Sequence, residues 1–533
     1  MGATVFAQPY EISPDRPGGT AEGPFSGAIP RDPRVRWIIA ATALFSVAIR
    51  ALEISRPAGL LSGGSYDTSV WLGSAIRLVH GIWPYRDFVL VQPPGLPLAL
   101  TPLALFSYAA GARGALILLT ACTPLLAAAN VVLVGRLVRH RGWPAVLVAC
   151  GFMAVYPATY VALGDGQLEP LMDLFVLIGL TLAFRGDLLA GGRRLAAGGA
   201  VLGFAASVLV AAFVPALVIA AICARQPKRL LLFAGSLVIG FAAPNLPFLV
   251  IAPSSTVNES LLTLLHRVPG GQRTPLPVRL FDMTFSRAPV EVGAAVAVLV
   301  ILAIVTFRPA LRRPSPLGWF AIGSTVAMTA AQFAVAVYYP HYPAMLAPFL
   351  AVLLGVAAGR RRSFRWGGRL VPSVAVVALG VVLVSQVVAI EGVSGRDPAP
   401  IVDSMVPQGA CALAAHTQFL VMSDRFISSV PGCSALVDPF GTELAYGSDR
   451  SETVAVFGAA LASAGYLVLD TSPARWLGGA WAAPLRAYIA GHFREVRPGL
   501  PAIWRRDPQP GGHRHAATRQ GGGQHFDARW TEQ

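Results

Sequence analysis

GGSYDTSVWLGSAIRLVHGIWPYRDFVLVQPPG, residues 63–95, sets polar and ionisable side chains between long apolar segments. Only 13% of the 533 residues are charged, yet this stretch holds Asp67, Arg77, His80, Arg86 and Asp87. Ionisable groups beside membrane-length apolar segments are typical of functional sites. We therefore interpret residues 63–95 as a catalytic loop around which the rest of the chain is organised.

The composition predicts a polytopic membrane protein, because 54% of the residues are hydrophobic and the mean hydropathy is +0.59. The net charge of +15 does not indicate nucleic-acid binding, since Lys and Arg cluster between apolar runs as in cytoplasmic loops. Residues 1–36 begin without an apolar signal-peptide core and are rich in Gly and Pro. They are predicted to form a disordered cytoplasmic tail.

Basic clusters orient the apolar runs. Arg31, Arg34 and Arg36 precede the first run, which places the N-terminus in the cytoplasm and the loop at 53–95 outside. Pro97 and Pro102 interrupt residues 96–110, which favours an interfacial or re-entrant helix. The whole pattern predicts an α-helical domain of about eleven spans over residues 37–390. The predicted spans are residues 37–52, 115–134, 143–163, 171–184, 195–223 as two short helices meeting near 210–215, 230–251, 290–307, 317–337, 343–358 and 371–390.

Beyond Glu391 short runs of polar and apolar residues alternate, which predicts a small extracytoplasmic α/β domain over residues 391–506. Strands are expected at 411–414, 435–437 and 466–469, with a helix near 481–490. Cys411 and Cys433 are the only cysteines outside the apolar spans, so they either pair in an oxidising compartment or remain two free thiols. Residues 507–533 are rich in Gly, His and Gln and are predicted to be disordered.

Asp67 is the candidate catalytic residue. It begins a predicted amphipathic helix whose Leu72, Ile76 and Val79 recur at helical spacing. A partly buried carboxylate at a membrane surface can take a proton from a hydroxyl nucleophile. The alternative is that Asp67 or Ser65 only caps the helix.

Three further candidates follow on the same loop. Arg86 and Asp87 come after a rigid aromatic turn, and Gln92 precedes the twin prolines that enter the membrane face. A guanidinium offers a planar fork of donors to phosphate oxygens, which makes Arg86 a candidate phosphate ligand. The alternative is a solvated ion pair of Arg86 with Asp87.

Two other external segments carry candidate binding residues. Asp165 and Glu169 bracket a short turn, where Glu169 either binds substrate or caps the following helix. Tyr338, Tyr339, His341 and Tyr342 form either an aromatic anchor or part of a site in which His341 adds a donor that can carry charge.

Neither a metal motif nor a nucleotide-binding glycine loop is apparent in the sequence. An ATP-driven transporter is therefore disfavoured, and the requirement for a divalent metal is left open.

The order of an early external Asp, then HGIWPYRDFVLVQPPG, GDGQLEP and YYPHY, resembles bacterial GT-C integral-membrane glycosyltransferases. It is most similar to actinobacterial polyprenyl-phosphate-mannose-type (glycosyltransferase family 39-like) transferases. The segment MSDRFISSVPGCSALVDPFGTEL resembles the extracytoplasmic module of that group. The resemblance implies that Asp67 engages the acceptor and that the donor is a lipid-phosphate sugar. Related sequences carry a Lys followed by an aromatic residue where this chain has residues 207–212, SVLVAA, so a basic contact to the donor phosphate is missing there.

The sequence thus predicts an inverting transfer of a mannose- or arabinose-type sugar from a polyprenyl-phosphate donor in the cell membrane. Candidate acceptors are a glycolipid, a polysaccharide or a protein of the cell envelope. The alternative is a transporter or flippase of a lipid-linked sugar, for which acids in the middle of spans are expected. Asp67, Asp87, Asp165 and Glu169 instead fall at the predicted external face. The C-terminal module is expected to dock over the catalytic loop, either to select the acceptor or as a structural cap.

Overall fold

A computed structural model of the chain describes residues 32–56, 59–61, 65–265, 274–284, 314–359, 397–447 and 450–508. The predicted spans at 290–307 and 371–390 lie outside these residues, as do residues 1–31 and 509–533 of the predicted tails. The described part is mainly helical. Its first ten helices are α1 (Pro33–Ile54), α2 (Tyr66–Val79), α3 (Gly95–Ala104), α4 (Ser107–Val138), α5 (Trp143–Val155), α6 (Pro157–Gly164), α7 (Glu169–Ala183), α8 (Gly192–Val208), α9 (Phe213–Cys223) and α10 (Pro227–Ile251).

Five described helices are long and apolar enough to cross a membrane, and the pair α5 and α6, bent by 43°, makes a sixth if counted as one span. The five are Pro33–Ile54, Ser107–Arg141, Pro227–Ile251, Pro316–Ala334 and Tyr342–Gly359. Helix α1 begins at Pro33, four residues before the predicted start, because Asp32 caps it by accepting a hydrogen bond from Arg34 N. The total of about eleven spans stays a prediction.

The segments predicted to be too short to span are indeed broken. Helix α3 has only 10 residues and contains Pro102. Residues 195–223 form α8 and α9, joined at Val210–Ala212 after Leu209 adopts an extended conformation. Gly95 lets the end of the 63–95 stretch approach α8, since a Cβ there would collide with Ser207 Oγ.

The C-terminal module contains a four-stranded sheet in the order β3-β4-β6-β5, made of β3 (Ala412–Ala414), β4 (Tyr466–Leu469), β5 (Phe493–Arg497) and β6 (Ala502–Arg506). Two short strands, β1 (Phe184–Arg185) and β2 (Leu188–Leu189), form a hairpin before α8. Strands β3 and β4 are parallel and the other pairs of the module are antiparallel. The helix expected near 481–490 is present as Ala483–His492, and Cys411 and Cys433 form the predicted disulfide.

One predicted strand is wrong. Residues 435–437 are irregular, because Val437 O accepts a hydrogen bond from the Thr417 hydroxyl instead of pairing with a neighbouring strand. The sheet is completed by β5 and β6, which the sequence analysis did not identify.

The module packs directly on α2. Its Phe426 ring lies 4.6 Å from the guanidinium carbon of Arg77, and a Cβ on Gly73 would meet the same ring at 2.9 Å. Asp424 accepts a hydrogen bond from Ala112 N of α4 at 2.7 Å, and Arg113 pairs with Asp397 at 3.1 Å. The predicted docking over the loop is therefore confirmed, and the module lies on the same side of the helical domain as Asp67.

Candidate active site

The N-terminus of α2 presents Asp67. Ser65 is the N-cap residue, and its Oγ accepts a hydrogen bond from Thr68 N at 3.3 Å. Asp67 lies in the first turn and is partly exposed. The capping role thus belongs to Ser65, which leaves the carboxylate of Asp67 at the positive end of the helix dipole.

Helix α2 is tied to the turn between α6 and α7. The Ser65 hydroxyl donates to Asp165 O at 2.9 Å, and the Thr68 hydroxyl donates to the same carbonyl. Asp165 is an exposed residue, but the surrounding protein partly desolvates its carboxyl group, which raises the pKa of Asp165. The nearby charge of Asp67 raises this pKa further. Asp67 and Asp165, which are about a hundred residues apart in the sequence, are thereby brought close to each other.

Glu169 begins α7 and is buried. Its carboxyl lies close enough to Asp67 and Asp165 to interact with both charges. Oε1 lies 3.6 Å from His341 Nε2, while Oε2 has no hydrogen-bond partner among the described residues. Burial lowers the pKa of His341 to about 4, so at neutral pH this contact joins a carboxyl to a neutral ring and is not an ion pair.

The predicted aromatic cluster is assembled around His341. The His341 and Tyr339 rings are stacked at 5.5 Å, and Tyr342 meets both edge-on. Tyr338 contacts Tyr342 at 5.8 Å between ring centroids. The cluster therefore adjoins the carboxyl group through His341 and Glu169.

Arg279, which the sequence analysis did not identify, lies fully buried beside this cluster. Its Nη1 donates to Gln332 O at 2.7 Å and Val335 O at 2.9 Å, and its guanidinium carbon lies 5.0 Å from the Tyr338 ring centroid. Nη2 has no partner among the described residues. The available sequence signal was an Arg and an Asp, three residues apart, in the otherwise apolar segment LPVRLFDMT.

Asp173 was also missed. It lies one turn beyond Glu169 on α7, is fully buried, and has no hydrogen-bond partner for either oxygen in the described part of the chain. Its spacing of four residues from Glu169 was the available signal. Asp173 lies inside an apolar helix and not at the predicted external face, so the placement of acids distinguishes an enzyme from a transporter less well than expected.

Arg86 and Asp87 behave differently from the other candidates. Arg86 Nη2 lies 2.7 Å from Asp87 Oδ2, the Arg86 side chain is 47% exposed, and Asp87 also accepts from Trp83 N. These contacts fit the solvated ion pair that was the alternative interpretation. Gln92 accepts from the Tyr85 hydroxyl through its carbonyl, at 2.5 Å, and its buried Oε1 has no partner among the described residues.

The carboxyl groups of the site are not arranged as metal ligands among the described residues. Over the described ranges, no group of three or more His, Cys, Asp and Glu side chains is arranged to hold a metal ion. The chemistry available here is proton transfer and hydrogen bonding by carboxyl, imidazole and phenol groups. Two buried guanidinium groups add positive charge: that of Arg279 and that of Arg50, which donates to Leu163 O.

No protein-family model matches the chain, and no curated protein matches it in sequence. Among solved structures, ArnT from Cupriavidus metallidurans bound to undecaprenyl phosphate aligns with a TM-score of 0.55 and 13% identity, over 90% of this chain and 99% of that one. The apo state of the same protein aligns with a TM-score of 0.57 and 14% identity, over 88% and 97%. An oligosaccharyltransferase from Archaeoglobus fulgidus aligns with a TM-score of 0.43 and 14% identity, over 88% and 73%.

Proposed function

Because the chain has the fold of the GT-C superfamily of membrane glycosyltransferases, we propose that it transfers a sugar from a polyprenyl-phosphate carrier to an acceptor hydroxyl. The observation that carries the proposal is the convergence of Asp67, Asp165 and Glu169 beside His341. The binding of undecaprenyl phosphate by ArnT supports a carrier of this class. The resemblance in sequence favours mannose or arabinose as the sugar and the extracytoplasmic face as the site of transfer.

In this proposal Asp67 is the base. The acceptor oxygen attacks the anomeric carbon, the bond from that carbon to the phosphate oxygen breaks with its electrons on the phosphate, and Asp67 takes the hydroxyl proton. Attack from the face opposite the phosphate inverts the anomeric configuration. Phosphate leaves readily, so positioning and charge stabilisation supply most of the rate.

Arg279 is a better candidate than Arg86 for the leaving phosphate. Its Nη2 is buried and without a partner in the described part of the chain, whereas the Arg86 guanidinium is exposed and bound to Asp87. A buried guanidinium is worth more to an anion than one in water. Arg279 can thus supply the charge for which residues 207–212 offer no lysine, and the Tyr338 hydroxyl lies beside it, donating to Arg279 O at 3.3 Å.

Carboxyl oxygens of Glu169 and Asp173 can accept hydrogen bonds from the hydroxyl groups of a sugar. Glu169 Oε2 and both oxygens of Asp173 are buried acceptors without donors among the described residues, and such groups gain most from a bound hydroxyl. The acceptor class and the role of the C-terminal module in selecting it remain predictions, supported by the direct packing of the module on α2.

The decisive experiment compares Asp67→Asn with Asp87→Asn in membranes supplied with a labelled polyprenyl-phosphate sugar. Both changes remove one carboxylate from the same loop, but only the first removes the base. We expect Asp67→Asn to lower transfer by roughly 10²–10⁴-fold and Asp87→Asn to change it by no more than about threefold. Undiminished transfer by Asp67→Asn would refute the assignment, and flux of the carrier without any product would favour a transporter.

A further inference from the structure

A cavity of about 150 Å³ opens beside the N-terminus of α2. Its walls are mainly leucines of α3 and α4, and its rim is formed by Thr68, Gly166 and Gln167. The wall residues include Leu96, Leu100, Leu103, Leu119, Cys122 and Leu126. The cavity is therefore an apolar recess whose polar end lies beside Asp67 and Asp165 in the chain.

The cavity lies on the opposite side of α7 from the aromatic cluster. Leu168 and Leu171 at the start of α7 line the cavity, whereas Glu169 contacts His341. At 3.6 residues per turn, Glu169 and Asp173 share one face of this helix, and Leu171 faces about 160° or more away from both. Helix α7 thus separates a polar side, where Glu169 meets His341, from an apolar side that faces the cavity.

Charge argues against a phosphate lipid in this recess. No Lys or Arg is found among the described residues that line it. The guanidinium behind its wall, Arg50, donates to Thr123 and to Leu163 O. It is paired with Glu53 and also attracts Asp165, so its single charge is already shared between two carboxylates of the protein. Since the rim adjoins the carboxylates of Asp67 and Asp165, an anionic head group would meet repulsion there.

We propose that this cavity binds the alkyl chain of the acceptor, so that the acceptor is a neutral glycolipid whose hydroxyl reaches Asp67. The proposal rests on the transferase function and narrows its acceptor class to lipids. An apolar cavity of this size accommodates a benzene-sized group, so the recess binds the part of the chain next to the head group. Each methylene buried there should improve binding about fourfold.

The test is photolabelling of the full-length protein in lipid nanodiscs. The probe is an alkyl β-glucoside with a diazirine near the glucose end of its chain. We expect adducts within residues 96–103 and 119–126, which excess dodecyl glucoside removes and excess polyprenyl phosphate does not. Adducts elsewhere would overturn the proposal, and so would equal competition by polyprenyl phosphate, which would assign the recess to the donor chain.

Neighbouring residues of α4 provide a matched pair of variants. Leu126 lines the cavity, whereas Leu125 is 66% exposed on the outer face of the same helix. Leu126→Trp should reduce labelling at least tenfold and raise the KM of long-chain acceptors, while Leu125→Trp should change neither. Equal labelling of both variants would overturn the proposal. Comparable melting temperatures show that both fold, and labelling needs neither donor nor turnover, so its failure is distinct from failure of the transfer assay.

Discussion

The two ends of the 63–95 stretch carry similar ionisable residues but use them differently. At the first end, Asp67 lies on a helix that contacts Asp165, Glu169 and the C-terminal module. At the second end, Arg86 and Asp87 bind each other. The second end is held to the rest of the fold by a buried hydrogen bond, in which Leu90 N donates to Glu259 Oε2 at 2.9 Å.

The difference shows which charged residues are available for chemistry. Adjacent opposite charges satisfy each other in solvent and contribute little. A carboxyl group that is buried near other carboxyl groups, as Glu169 is near Asp67 and Asp165, is costly to ionise. Its Oε2, without a partner among the described residues, is available to a ligand, and the predictions below test this contrast, beginning with the largest expected effect on transfer.

Glu169→Gln tests the carboxyl groups near Asp67, at the first end of the stretch. Glu169 is buried and its Oε2 has no partner among the described residues, so it is poised to bind a substrate hydroxyl. Loss of a hydrogen bond that leaves a buried polar group unsatisfied costs about 1–3 kcal/mol. We expect kcat/KM to fall about 10–100-fold in a transfer assay with saturating acceptor. The control is Glu452→Gln, which removes an exposed carboxylate of the module and should leave transfer unchanged. An equal loss in both variants would contradict the assignment.

Arg279→Lys and Arg86→Lys compare the two candidate phosphate ligands. Both variants keep the positive charge and remove the planar fork of donors. We expect the KM for the polyprenyl-phosphate donor to rise about tenfold for Arg279→Lys, equivalent to about 1.4 kcal/mol. The same constant should change by less than about twofold for Arg86→Lys. The reverse ranking would restore Arg86 as the phosphate ligand and break the comparison between the two ends.

Hydropathy predicted the membrane-length helices well. Apolar runs bounded by basic clusters are a property of local composition, which the sequence shows directly. The cap at Ser65, the break between α8 and α9 and the disulfide were also accessible from local residue types. Strands β5 and β6 were missed since FREVR and AIWRR carry several charges. Edge strands such as β5 tolerate such charges, which obscures the hydrophobic alternation.

The site was predictable only in part. Asp67, Glu169 and His341 were selected as isolated ionisable residues, but their proximity depends on the packing of three distant segments. Arg279 and Glu259 were not selected, because each lies in a segment without a motif. Their significance comes from burial, which a single sequence does not reveal.

Tyr66→Phe tests how the module supports Asp67. The Tyr66 hydroxyl donates to Asp438 Oδ1 at 2.5 Å and accepts from Phe440 N at 2.9 Å, which fixes the first turn of α2 to the module. We expect kcat to fall about threefold to tenfold with little change in the donor KM, since a hydrogen bond to a carboxylate is lost.

Tyr108→Phe is the matched control for Tyr66→Phe. It removes an exposed hydroxyl that donates to Val79 O at the other end of α2. Transfer by this variant should remain at the wild-type level. If Tyr108→Phe lowers kcat as much as Tyr66→Phe does, the effect belongs to α2 as a whole and not to the contact between Tyr66 and the module.

Glu259→Gln should have the smallest effect on transfer, within twofold at pH 7, but a distinct effect on stability. Burial raises the pKa of Glu259 from 4.5 to about 8, so the folded protein binds this proton more tightly than the unfolded chain does. Stability from this group is therefore highest below pH 4.5 and is lost as the pH rises toward 8. The melting temperature of the wild type should fall between pH 5 and pH 8 more steeply than that of Glu259→Gln, whose amide cannot ionise. If the melting temperatures of the two proteins in nanodiscs fall equally with pH, Glu259 is not protonated in the fold. The second end of the stretch is then held by contacts other than the one with Leu90 N.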